Sequence, residues 1–178
     1  MIYTKIMEEK SDQIGPFFMT GASQRQITIM SRIVPLLETE NIIDTHLIPL
    51  VTQESVISLR ALDWLVTNYS KKNNIVCRTK NGTLFNIYHG YKTALSHFRR
   101  RNFDPFRRRQ RIFLNHNQKD YETTVGQCNF IHWAYQTGVL QYAIDNSNEI
   151  EKDMNLAALT NKTERKNQIE KGIPHRRR

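Results

Sequence analysis

From Ser58 the chain is apolar at Leu59, Leu62, Leu65, Val66 and Tyr69. That spacing gathers the five side chains on one face of a helix. Ser58 can cap the start, and Lys71 and Lys72 suit the negative end of the helix dipole. Asn73 and Asn74 close the element, so a helix over 58–72 is predicted. "IVCRT" and "TLFNI" then flank "KNG", and Asn81-Gly82 is a strong signal for a tight hairpin. From Asn86 the helical period returns through Ile87, Tyr91, Leu95 and Phe98.

The same periodicity predicts a helix over about 24–38, where Ser23 and Gln26 have capping-box spacing and Pro35 marks a kink or an end. Asp104-Pro105 signals a turn, since proline drives its predecessor out of the helical region. "RQRIFL" and "DYETTV" read as paired strands across "NHNQKD". Thr124 and Gln127 repeat the capping-box spacing and open "VGQCNFIHWAYQTG", a helix closed by Gly138. A short helix over "VLQYAIDN" and a polar one over "NEIEKDMNLAAL" follow. The pattern predicts a mostly helical α+β fold, a helix–β-hairpin–helix core followed by a basic turn and further helices. Residues 23–158 form its single domain. Residues 1–22, without a sustained period, read as an N-terminal arm whose Phe17 and Phe18 dock on the body. Residues 159–178, ending in "HRRR", read as a loosely ordered basic tail.

Charge changes this picture by being regional. The net is +9, but residues 1–57 carry four Lys/Arg against seven Asp/Glu, residues 58–120 fourteen against three, and residues 121–178 eight against seven. Within the basic stretch, "RRRNFDPFRRRQR" holds seven arginines, Arg99, Arg100, Arg101, Arg107, Arg108, Arg109 and Arg111. Asp104, the one carboxylate among them, cannot neutralise seven guanidinium groups. Guanidinium offers a permanently charged planar fork that matches phosphate oxygens. Two triplets converging across the Asp-Pro turn would straddle a nucleic-acid backbone, with Phe103 or Phe106 stacking on a base of a single strand. Arg78, Lys80 and Lys92 are auxiliary contacts. The helix–hairpin–helix order can also be read as a winged helix with Arg78 and Lys80 in the wing, against an ordinary α+β core.

Catalytic and metal chemistry find less support. Cys128 and His132 have helical i, i+4 spacing, but zinc needs two further ligands and no second pair with ligand spacing occurs. A buried thiol beside a core histidine is the expected reading. His97 and Arg100 reproduce the H-x-x-R spacing of tyrosine recombinases, without the surrounding apolar pattern or an upstream arginine motif. Three scattered carboxylates between 58 and 120 do not suit a two-metal nuclease. No Walker loop occurs. No catalytic residue, metal or cofactor is therefore expected. Two cysteines make no disulfide framework and fit a reducing compartment. Without a leader pattern or a long apolar run, neither a signal peptide nor a membrane span is expected.

The stretches "SLRALDWLVTNYSKKNNI", "IYHGYKTALSHFRRRNFDPFRRRQRI" and "ETTVGQCNFIHWAYQTGVL" resemble small basic proteins encoded by nucleocytoplasmic large DNA viruses, the giant-virus group. The resemblance covers roughly residues 55–155. It implies a virus-encoded protein made in an infected cell, in a viral factory or the nucleus, and packaged in the particle. It implies no activity and assigns no residue a role. The expected function is non-catalytic binding of nucleic acid, DNA in preference to RNA. The alternative is a virion structural or interaction protein whose arginines contact acidic protein surfaces, other virion proteins among them. The acidic residues 1–57 would then meet the basic segment of a second copy.

Overall fold

The 58–72 periodicity becomes one continuous helical rod in the computed structural model, which describes residues 11–170 other than 107. Ser58 caps α3 (Leu59–Trp64) by accepting the Ala61 N–H at 3.1 Å. The rod passes through a π turn, Leu65–Tyr69, into α4 (Ser70–Asn73). Ala61, Leu62, Leu65 and Val66 are buried. Asn74, left-handed at φ 48°, ends the rod. β3 (Val76–Arg78) and β4 (Leu84–Asn86) then pair antiparallel as a two-stranded hairpin. Asn86 caps α5 (Ile87–Phe98) through the His89 N–H. The fold is mostly helical α+β, as the pattern predicts.

Before this core, α1 (Gln24–Thr39) opens with a complete Ser23–Gln26 capping box. It runs on through Pro35, whose ring lies exposed, so the helix does not end there. A π turn, Ile43–Leu47, leads into α2 (Ile48–Thr52). Neither was read from the sequence, since the run is short and lacks a cap signal.

The largest departure concerns residues 11–20, predicted as part of an arm. They form β1 (Ser11–Ile14) and β2 (Phe17–Thr20), joined by Gly15-Pro16. β2 pairs with β5 (Ile112–His116), and β5 with β6 (Lys119–Thr123), giving an antiparallel sheet ordered β1-β2-β5-β6. Phe17 and Met19 alternate into the core and are fully buried, so this segment belongs to the body. The expectation for residues 1–10 lies outside the described residues.

α6 (Val125–Gln136) runs through the middle of the core, with Cys128, Phe130, Ile131 and Ala134 all fully buried. Gly138, at φ 76°, turns the chain into α7 (Val139–Asp145). A Cβ there would also lie 2.0 Å from the Arg78 carbonyl oxygen, so glycine is required twice over. The last element, α8 (Ser147–Glu170), continues without a break past residue 158, where the pattern predicts the domain's end. Its first turns are held by Asp153, which accepts from Trp64 Nε1 at 2.9 Å and Lys72 Nζ at 2.6 Å. The terminal "HRRR" lies outside the described residues.

Candidate nucleic-acid interface

α5 ends at Phe98, and Arg99 breaks it with φ 65° and ψ 137°. This is backbone that a non-glycine residue seldom adopts. The chain tightens into a 3-10 turn, Arg100–Asn102, and then drops Phe103 into the core. Phe103 is 1% exposed, stacks on Phe98 at 5.2 Å, and meets Phe130 and Trp133 at 5.4 Å each. It is therefore not available to stack on a base; of the two roles the sequence allows it, stacking or burial against the body to fix the corner, it takes the second. Phe106 is only half-buried, and the Arg108 guanidinium lies 5.1 Å from its ring centre.

The Asp-Pro corner is fastened to α6. The Asp104 N–H donates to the Gly126 carbonyl at 3.3 Å, and a Cβ at residue 126 would stand 3.2 Å from the Asp104 nitrogen. Thr124 caps α6 through the Gln127 N–H, as its spacing implies. The Gln127 side chain does not return to complete a capping box. It donates to the Pro105 carbonyl at 3.0 Å and accepts from the Thr123 hydroxyl at 3.2 Å. The corner needs a donor for that buried carbonyl, and this need redirects the glutamine.

Asp104 is 7% exposed and fully engaged. Its carboxylate accepts the Phe106 N–H at 3.1 Å and holds Arg108 bidentately through Nε and Nη2, both at 2.9 Å. The hydrogen bond that Arg108 donates to Asp104 raises the Arg108 pKa further. Arg111 pairs with Glu122 on β6 at 2.5 Å. Two arginines of the run are thus met by carboxylates within the chain, one of them invisible to local counting because Glu122 arrives through strand pairing.

An open cleft of 610 Å³ lies between α3, α5 and the corner. Lys92, Arg100, Arg108 and Arg109 line it and are exposed. Asp63, Thr67, Tyr91 and Leu95 also line it, with Phe103, Asp104 and Pro105. Burial pushes the Asp63 carboxyl up to about 6, with Arg108 opposing and Asp104 reinforcing the shift. Burial, and then the charges of Asp63 and Asp104, push the Tyr91 phenol up to about 12. The phenol therefore keeps its proton at neutral pH.

Sequence reasoning found the cationic side of this cleft and missed Asp63, which carries no motif and sits within an apolar helical pattern. Arg99 and Arg101 are exposed beside the cleft without lining it. Arg107 lies outside the described residues. The proposed auxiliaries divide. Lys92 joins the cleft, whereas Arg78 and Lys80 line a separate one of 290 Å³ with His46 and Tyr135. Lys80 is bound there to Glu40 and to the Tyr135 hydroxyl, and sits 4.0 Å above that ring. Arg78 donates to Gly82 of its own hairpin.

The remaining chemical candidates fall into the core or apart from one another. Cys128 is fully buried, its thiol pushed by burial up to about 12. Burial also lowers the His132 pKa, and its Nε2 has no partner among the described residues. Among the described residues no group of three or more His, Cys, Asp or Glu could hold a metal ion, and no helix is long and apolar enough to cross a membrane.

Residues 22–175 match the model of a family described as "Family of unknown function (DUF7197)". An uncharacterized protein of Acanthamoeba polyphaga mimivirus is 31% identical over 169 residues, covering 90% of this chain. The chain is thus similar to a giant-virus protein, and it spans 65% of that relative's length. No solved structure matches.

Proposed function

The chain belongs to the DUF7197 family, and from that footing we propose that it is a small basic virus-encoded protein that binds nucleic acid without catalysis, DNA in preference to RNA. One observation carries the reading. Lys92 from α5, Arg100 from the 3-10 turn, and Arg108 and Arg109 from the Asp-Pro corner line one cleft, although they are up to seventeen positions apart. Such clusters attract phosphates, and release of condensed counterions supplies most of the affinity. Arg100 and Arg109 are the principal phosphate contacts, because Arg108 already holds Asp104. Exposed Arg99 and Arg101 extend the surface.

Fluorescence anisotropy against duplex DNA at several salt concentrations tests this. The Arg100→Ala/Arg109→Ala variant should bind more weakly and flatten the log–log salt dependence by about 0.9 per lost contact. Arg78→Ala, at the other cleft, should change both far less. An unchanged slope in the folded double variant removes the proposal.

A second reading, a virion component gripping acidic protein surfaces, draws on Arg108 and Arg111 already meeting carboxylates. The two separate on purification. A nucleic-acid binder carries a raised 260/280 nm absorbance ratio that a high-salt wash lowers. A protein clamp comes out clean and captures acidic partners after nuclease treatment.

A further inference from the structure

Two carboxylates, Asp63 and Asp104, line the arginine cleft, and phosphate binding alone does not account for them. Asp104 has its oxygens filled by Arg108 and the Phe106 N–H. Asp63 does not. Its backbone carbonyl accepts the Thr67 hydroxyl at 2.7 Å, yet its half-buried carboxylate receives no hydrogen bond or ion pair among the described residues. A carboxylate that lines a cleft and is unmet by the chain is open to the donors of a ligand.

The ligand must satisfy both signs of charge. A cation would be repelled by Lys92, Arg100 and Arg109, and an anion filling the cleft would meet Asp63. A molecule with phosphate at one end and neutral N–H donors at the other meets both demands. Leu95, Tyr91 and Pro105 add an apolar wall, which suits a flat ring better than a polyol. The cleft volume falls within the range of about 300–1,000 Å³ usual for small-ligand sites. Among the bases, guanine sets two adjacent donors, N1–H and the N2 amine, on its Watson–Crick edge, matching two carboxylate oxygens. Adenine and cytosine offer one amine beside an acceptor.

We infer that the cleft takes an unpaired guanine nucleotide of a single strand, its base on Asp63 and its phosphates on Arg100 and Arg109. The inference rests on the nucleic-acid reading above and narrows it to a strand type and a base. In a duplex the Watson–Crick edge is already paired, so the donors cannot reach Asp63. Recognition of splayed-out bases by that edge is how proteins read single strands.

The test is fluorescence anisotropy with the full chain and three labelled strands: an oligothymidylate, the same strand with spaced guanines, and the same strand with inosines, which lack the N2 amine. The guanine strand should bind about tenfold tighter than the inosine strand, in the range of one good base contact. Annealing its complement should weaken binding. Asp63→Asn, which keeps the shape and swaps one acceptor oxygen for a donor, should abolish the guanine preference and melt no lower than the parent. Equal binding of guanine and inosine strands overturns the inference, as does a preference that survives in Asp63→Asn. If Arg100→Ala/Arg109→Ala binds every strand as tightly as the parent, the nucleic-acid reading falls with it. Weaker binding by that variant with no guanine preference in the parent sinks this inference alone.

Discussion

The β3–β4 hairpin and the corner around Asp104 are both basic, and both lie beside α6. They use that charge differently. On the hairpin, Lys80 is drawn onto Glu40 and the Tyr135 ring, and Arg78 folds back on Gly82. At the corner Arg108 is engaged, and it serves to fasten the backbone bend. Arg100, Arg109 and Lys92 face a cleft. The hairpin knits α1 to α6, and the corner displays. A count of charges along a chain does not distinguish the two, because pairing depends on which carboxylate the fold brings alongside.

The depth of anchoring separates the regions most sharply. Phe103→Ala should cost about 3–5 kcal/mol in denaturant unfolding, since a fully buried aromatic leaves a cavity. Leu84→Ala on the hairpin, where the side chain is 66% exposed, should stay within about 0.5 kcal/mol. Comparable losses at both sites would mean that the corner is no better fixed than the hairpin.

Asp104→Asn tests the engaged arginine. Losing a charge-assisted bidentate pair should lower stability by about 1–3 kcal/mol, while the Phe106 N–H keeps an acceptor. The same variant should bind DNA more tightly, because Arg108 is released toward the cleft. Reduced stability together with reduced binding would instead show that the bend itself presents the cations.

Asp63 gives a pH signature. Its pKa is raised from 3.8 to about 6, first by burial, so the folded state holds the proton more strongly than the unfolded chain. The site costs nothing below pH 3.8, loses stability as pH rises toward 6, and carries the full penalty above it. Asp63→Asn should therefore melt higher than the parent at pH 7, by about 1 kcal/mol once solvent screening in an open cleft is allowed for. That advantage should vanish below pH 3.8. A stabilised variant that has lost guanine preference would mark Asp63 as a residue kept for binding at the expense of stability.

The smallest effect belongs to the hairpin. The hydrogen bond from Lys80 holds the Glu40 pKa below its usual 4.5, so this pair stabilises above that pH and is lost as pH falls through the lowered value. Glu40→Gln should cost less than about 1 kcal/mol at neutral pH, as expected of a solvent-exposed pair. Thermal melts across pH would show the difference closing in acid.

What the sequence determined by itself is local. Caps at Ser23, Ser58 and Thr124, helical apolar periods, the Asn81-Gly82 hairpin and the Asp104-Pro105 bend are all fixed within a few residues, and the structure has each of them. The concentration of arginine was equally plain. What only the tertiary structure decided depends on partners distant in the chain. β2 is a strand because β5 offers it hydrogen bonds from more than ninety residues away. Gln127 abandons its capping box because Pro105 needs a donor. Arg111 is paired because β6 brings Glu122 beside it, and Lys80 because Glu40 caps the end of α1 within its reach. Asp63, one polar residue in an apolar helical pattern, comes to line a basic cleft because α5 and the corner fold over α3. Propensity and periodicity act over a turn or two of chain, whereas hydrogen-bond satisfaction, ion pairing and burial are settled by whatever the folded chain places within a few ångströms.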